Sequence, residues 1–334
     1  MHSGIQELDG GVARFYRADS GTNAAVSTEI TGYAASALAY LHSRTGKQEY
    51  LDAAVHAARY LTHQAWDPAA STFPFEPGSD RAYFFDIGII VRGLLAVWRA
   101  TGEEEFRARA QEAALSLAFD FLGEGVFHPV ISLPDKQPLP EEPRWSRKPG
   151  CYQLKSALAW REIGDAHARQ LFDAAVAAAL ATHERFLQEE PDREKLMDRL
   201  HAYCYFLEAL LFTSEHHALA AGIDCVAALL REIGPVFERS DVNAQLLRIR
   251  LVAHHLNVVP LDELAAREEA ASAASFQALD AADPRTRGGF WFGRRGAQLL
   301  PFSNPVSTAF SLQALALWQD HQAGRWSFEL PQLI

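Results

Sequence analysis

Residues 84–118 read FFDIGIIVRGLLAVWRATGEEEFRARAQEAALSLA. Apolar residues dominate from Phe84 to Trp98. Thr101-Gly102 then interrupts, and beyond it apolar positions recur at three and four with charges between them. The pattern predicts a helix buried nearly all round, a glycine-capped turn and an amphipathic helix with its charges outside. One residue is out of keeping. Asp86 stands in the first turn of the apolar helix, just after the aromatic run Tyr83-Phe84-Phe85.

The same two-helix unit recurs along the chain. STEITGYAASALAYLHSRTG followed by KQEYLDAAVHAARYLTHQ precedes it, and the turns RTGKQEYLDAA and ATGEEEFRARA match, with Gly46 and Gly102 at the C-cap glycine position. Inner-type helices start near residues 27, 84, 151, 197, 241 and 304. Five of them have an amphipathic partner downstream. The sixth partner can only come from the start of the chain, at roughly Gly4 to Tyr16. Hairpins repeated in this way predict an all-α fold, an (α/α)6 toroid closed by an N-terminal helix, with residues 1–334 as one domain.

Composition agrees and excludes several functions. With 334 residues, 49% hydrophobic and 22% charged, the chain can bury a large core. A net charge of -11 argues against nucleic acid or anionic membrane as partner. Cys151, Cys204 and Cys225 show no CxxC spacing, which fits a reducing compartment. The N-terminal stretch has no signal-peptide apolar region, and no run approaches the length of a membrane span, so a cytoplasmic protein is expected. No GxGxxG, Walker A, HExxH or GxSxG motif occurs, which sets aside nucleotide-dependent, zincin and α/β-hydrolase chemistry.

In such a toroid the inner helices run the same way, so their N-termini gather at one mouth. The loops feeding that mouth are the long ones, at Ala65 to Ala82, Leu122 to Gly150 and Asp280 to Ser303, and long loops on one face are usually functional. The polar residues at the inner-helix starts include Glu29 and Tyr33; Tyr83 and Asp86; Tyr152; Asp198, His201 and Tyr205; Asp241, Gln245 and Arg248. Two readings stand for them. They line a cavity, or they cap helices and pair inside the core, with Arg92 or another buried arginine as the partner for Asp86. Asp198, His201 and Cys204 share a helix, but one helix does not supply a four-ligand zinc site, so no metal is expected. His216-His217 and His254-His255 fall at the far ends of helices, where a C-terminal dipole favours them. Loop aromatics, including Trp145 and Trp291, are interleaved with arginines, a combination suited to sugar faces and carboxylates or to pinning the loops down.

The segments at 27–61 and 84–114, with SDVNAQLLRIR and GGFWFG…NPVSTAFSLQALALW, resemble the six-hairpin glycosidase-like proteins, most of all bacterial proteins associated with exopolysaccharide synthesis. The resemblance spans nearly the whole chain. It implies a glycoside hydrolase-like or sugar-epimerase-like enzyme acting on an oligosaccharide or uronate-containing glycan, with no cofactor. A non-catalytic glycan-binding or scaffold protein of polysaccharide biosynthesis is the alternative. Glycosidases of this fold use a carboxylate pair, which by position implies Asp86 and Glu29 as catalytic groups. Unsaturated uronyl hydrolases are similar in placing an Asp early in the second inner helix. Epimerases use a histidine pair, of which only His201 has a counterpart here. His201, Tyr205, Arg248, Asp198, Asp241, Gln245, Tyr33, Tyr83, Tyr152, Trp145 and Trp291 are then the expected saccharide-binding residues.

Overall fold

The computed structural model describes residues 3–123, 125–188 and 190–334. Its described residues form eleven α-helices joined by loops that carry only short strands. Their contacts group them into two compact units, one of residues 3–14 and 24–182, the other of residues 15–23 and 183–334.

The first unit contains helices α1 (Thr28–Thr45), α2 (Gln48–Tyr60), α3 (Phe84–Thr101), α4 (Glu104–Asp120), α5 (Leu154–Ile163) and most of α6 (Ala166–Gln188). Thirteen of the eighteen residues of α3 are buried, which makes it an inner helix, while its partner α4 buries mainly Phe106, Leu117 and a row of alanines. α3 packs against α1, α4 and α5. The closeness of that packing is set by glycine. A Cβ on Gly88 would lie 2.6 Å from the Cα of Ser156 in α5, and one on Gly32 would lie 2.9 Å from the Cα of Ile90 in α3. Gly93 faces the backbone oxygen of Gly32 in the same manner. The turns that end α1 and α3 hold Gly46 and Gly102 at φ +69° and +74°, the left-handed caps that the repeated TG motif predicts.

The second unit contains α7 (Arg193–Leu210), α8 (His216–Ile233), α9 (Ser240–His255), α10 (Glu263–Ser275) and α11 (Pro305–Gln322). Within it α9 packs against α7, α10 and α11, and is buried along almost its whole length. His216 and His217 open α8 instead of closing a helix, so the dipole explanation does not hold for them.

The long loops are not structureless. In the first unit β3 (Arg81–Tyr83), which runs directly into α3, pairs antiparallel with β4 (Val130–Ser132) from the loop before α5. In the second unit β5 (Phe237–Arg239) runs directly into α9 and pairs with β6 (Gly293–Arg295), which pairs with β7 (Gln298–Leu299). There too β1 (Tyr16–Arg17) lies between β2 (Thr22–Asn23) and β8 (Phe302–Ser303).

The N-terminal helix expected over Gly4 to Tyr16 is not formed. That stretch bridges Gln6 to Val12 and Ala13 to Val26 and enters β1 at Tyr16. Gly10 sits at φ +100° against the backbone of His56, a conformation no helix contains. Val12 and Ala13 are nevertheless buried, and the Val12 amide donates to the Thr31 hydroxyl at 2.9 Å. The segment therefore packs onto the first unit as extended chain.

Two glycine substitutions separate backbone strain from close packing. Gly102→Ala meets nothing within 4 Å and costs only its left-handed conformation, about 1 kcal/mol. Gly88→Ala must push α5 away and is expected to cost at least about 2 kcal/mol. Urea denaturation of the two variants measures the difference.

Candidate functional site

In the first unit, β3 delivers the chain into α3 with Tyr83 as N-cap, and the first turn of α3 carries Asp86. Glu29 is the second residue of α1, and its N-cap Ser27 accepts from the Ile30 amide. An acidic residue there suits the helix dipole, but burial outweighs that effect. Burial lifts the Glu29 carboxyl to about 7, against a smaller opposing pull from Arg14. Asp86 is raised well above the ordinary carboxylate range by burial first and by the neighbouring Glu29 second, with Arg14 again opposing. Asp86 Oδ2 is buried and has no hydrogen-bond partner. The structural alternative for Asp86 was a pairing with Arg92 or another buried arginine. The Arg92 guanidinium instead binds Glu162 at 2.6 Å, and Arg99 binds the other oxygen of Glu162.

Aromatic rings and cations adjoin the pair. Arg14, held by Glu76 at 2.5 Å, lies 4.7 Å over the Phe75 ring. Phe75 is 5.0 Å from Tyr83, and Arg147 lies 5.0 Å over Tyr83. Tyr83 is raised by burial and by the nearby Asp86, with Arg147 pulling the other way. Tyr152, buried and raised by burial, meets Phe85 at 6.0 Å and Trp145 edge-on at 5.0 Å, and its hydroxyl donates to the Lys148 carbonyl. Trp145 belongs to a short 3-10 turn, Trp145–Arg147. Tyr33 is a buried residue of α1. Glu29, Asp86, Tyr83 and Arg14 therefore interact electrostatically, while Trp145 and Tyr152 adjoin through Phe85.

The second unit holds another constellation. His201 Nδ1 is 2.7 Å from Gln245 Oε1, and the Tyr205 hydroxyl is 2.8 Å from His201 Nε2. With the amide oxygen accepting, the ring proton sits on Nδ1 and the tyrosine donates to Nε2. Burial, then the positive charge of Arg239, lowers His201 to about 4, so the imidazole is neutral at physiological pH. Gln245 Nε2 is buried without a partner. Burial by itself would raise Asp241, but the forked guanidinium of Arg239, bonded at 2.9 and 2.7 Å, and the Ser307 hydroxyl at 2.9 Å hold it at about 2. Arg239 also reaches Asp198 at 2.7 Å. Asp241 is thus an ion-pair partner and not a helix cap.

Arg248 does not behave as a ligand-binding residue. It is fully buried, pairs with the equally buried Glu208, donates to Gln313 at 2.9 Å and covers the Phe310 ring at 4.1 Å. Trp291 sits in the loop before α11, bridged to Ser303. Arg239 and Arg14 were missed from the sequence. Arg239 immediately precedes the helix that carries Asp241, which was the available signal. For Arg14, fifteen residues before Glu29 in an apparently helical segment, there was none.

No protein-family model and no curated protein sequence matches this chain. Solved structures do match its fold. A cellobiose 2-epimerase from Spirochaeta thermophila DSM 6192 is similar at a TM-score of 0.71 and 15% identity, over 96% of this chain and 93% of that one. A D-mannose isomerase is similar at 0.67 and 10% identity, over 96% and 93%. A GH76 α-mannanase from Bacteroides thetaiotaomicron is similar at 0.62 and 12% identity, over 96% and 93%. The chain thus has the all-α (α/α)6 fold of these structures. Among the described residues no helix is long and apolar enough to cross a membrane.

Two measurements test these assignments. The folded pKa of Glu29, about 7, lies above the ordinary 4.5, so the folded state binds the extra proton between those values. Its contribution to stability is complete below the lower value and is lost as pH rises through the higher one. Wild type should lose up to roughly 3 kcal/mol relative to Glu29→Gln between acid and mildly alkaline pH, read from urea midpoints. Arg248→Met should cost about 3–5 kcal/mol by stranding the Glu208 charge, and a second change, Glu208→Gln, should restore most of it.

Proposed function

We propose that this chain is a carbohydrate-active enzyme in which Glu29 and Asp86 carry out acid–base chemistry on an oligosaccharide or uronate-containing glycan. One observation carries the reading. A buried carboxyl, Asp86, and a half-buried one, Glu29, share a site, both are raised, and Asp86 Oδ2 has no hydrogen-bond partner. Like charges so placed hold one proton between them near neutrality, so one member can protonate a departing or enolising oxygen while the other accepts a proton. Elsewhere the chain pairs its buried carboxylates with arginine, as at Glu162, Asp241 and Glu208. Leaving this pair without such a partner is what catalysis, and not packing, calls for. The Phe75–Tyr83 wall offers flat faces for a sugar ring, and Arg14 and Arg147 on those rings offer positive charge for a carboxylate.

The structural neighbours are named as an epimerase, an isomerase and a mannanase, which supports a sugar substrate without choosing the reaction. A role in polysaccharide metabolism, in the cytoplasm, belongs to the same proposal. A second reading is favoured by the neutral His201, fixed between Gln245 and Tyr205. This is a proton-transfer set suited to epimerising a reducing sugar.

The test is to incubate wild type, Asp86→Asn, Glu29→Gln and Tyr205→Phe with a panel of hexosamines, uronic acids and short oligosaccharides. Products are followed by NMR and binding by thermal shift. Loss of kcat by at least about 100-fold in the two carboxylate variants, with binding retained, is the expected result. Loss confined to Tyr205→Phe, with a C2 epimer as product, selects the second reading. A sugar that stabilises every variant and is never altered selects a glycan-binding protein instead.

A further inference from the structure

The second unit carries a cavity that neither site uses. It has a volume of about 540 Å³ and lies between α8, α10 and the paired strands β5 and β6, with Asn243 and Leu246 of α9 in its lining. Clefts of about 300–1,000 Å³ take small organic ligands. Ala227 and Leu230 of α8, with Leu246, supply apolar wall. Much of the polar lining is buried, with Glu238 8% exposed, Asn243 3% and Glu269 6%.

Charge in the lining is balanced. Its three glutamates each have an arginine. Arg294 binds Glu238 at 2.5 Å, Arg250 binds Glu269 at 2.8 Å and Arg231 binds Glu268 at 3.3 Å. A bare anion would meet carboxylates here and a bare cation would meet guanidinium groups, so the ligand that fits is neutral.

Hydrogen bonding is not balanced. Asn243 donates from its amide nitrogen to Glu238 at 2.9 Å and to the Arg239 carbonyl at 3.2 Å, and among the described residues its Oδ1 accepts from none. Arg250 Nε serves both oxygens of Glu269, at 2.8 and 3.1 Å, although a carboxylate offers about four acceptor positions. Burial lifts Glu269 to about 7, with Arg250 pulling the other way. Ser272 gives its proton to Glu238 at 2.5 Å and keeps its lone pairs. Buried acceptors without donors are costly, so a ligand that brings donors is favoured. A sugar ring brings them, as several hydroxyls around C–H faces that suit Leu230 and Leu246.

We propose that this cavity binds a neutral saccharide of one or two rings, with Asn243 Oδ1, Ser272 Oγ and Glu269 accepting from its hydroxyls. The whole lining belongs to the second unit and the carboxyl pair to the first, so this is a binding site distinct from the acid–base pair. Either assignment can fail without the other.

Hydrogen–deuterium exchange of the full-length protein, with and without millimolar glucose or cellobiose, locates the ligand. Slower exchange of residues 226–238 and 293–300, which contain much of the lining, is expected. Propane-1,3-diamine and malonate, as cationic and anionic controls, should leave both segments unchanged. Ala297→Trp crowds the exposed turn between β6 and β7 at the rim, leaves the buried acceptors in place and should remove the protection. Asn243→Ala should raise the sugar concentration for half-maximal protection by about tenfold. Because Ala297 is exposed, the test stands even where Asn243→Ala does not fold. Glu29→Gln should leave the protection intact, which separates this site from the first unit's. Unaltered exchange with both sugars, protection that survives Ala297→Trp, or equal protection by the diamine or malonate would overturn the proposal.

Discussion

The backbone contact between α1 and α3 governs the first unit. Gly32 admits Ile90, Gly93 admits Gly32, and Gly88 admits the start of α5. Side chains on any of these three would hold the helices apart at the distance of ordinary packing. Without them, the first turns of α1 and α3 come into electrostatic range, and Glu29 raises the pKa of Asp86. The approach of the two carboxyls therefore rests on two missing side chains, Gly32 three residues after Glu29 and Gly93 seven residues after Asp86, while Gly88 serves the contact with α5. Helix packing and site chemistry are one fact seen at two levels.

Buried charge is handled in two ways in this molecule. Glu162, Asp241, Glu208 and Glu269 each meet an arginine at hydrogen-bond distance. Such pairs offset the cost of removing ions from water without adding much stability of their own. Glu29 and Asp86 are treated differently, with Arg14 acting on them while being bonded itself to Glu76. The contrast makes the carboxyl pair stand out against its own background, since arginine meets each of these other carboxylates, and Glu238 as well.

Much of the helical framework was legible in the sequence because it rests on local signals. Apolar periodicity and the repeated TG turn located α1 through α4, with Gly46 and Gly102 at the caps. The inner-helix starts expected near 27, 84, 241 and 304 are found at Thr28, Phe84, Ser240 and Pro305. The N-terminal segment misled because a sixth outer helix was assigned to it by elimination, without weighing the turn made by Gly10. The loop strands were invisible because each is two or three residues long and gains its hydrogen bonds from a partner far along the chain. The candidate site residues stood out as polar exceptions at helix starts. Their partners did not. Arg92 meets Glu162 and Arg248 meets Glu208 across sequence separations of 70 and 40 residues, which no periodicity encodes.

The pairing of β3 with β4 has a mechanical consequence. Two excursions that leave different helices are laced together at Ala82 and Ile131, so neither can swing alone. Strain applied to one is shared by the other and passes directly into Tyr83 and the first turn of α3. Insertions in that part of the chain are then tolerated best beyond the laced residues, at the outer tips, where length can change without re-aiming Asp86. Length changes confined to these tips leave the first turn of α3, with Asp86, where the paired strands hold it.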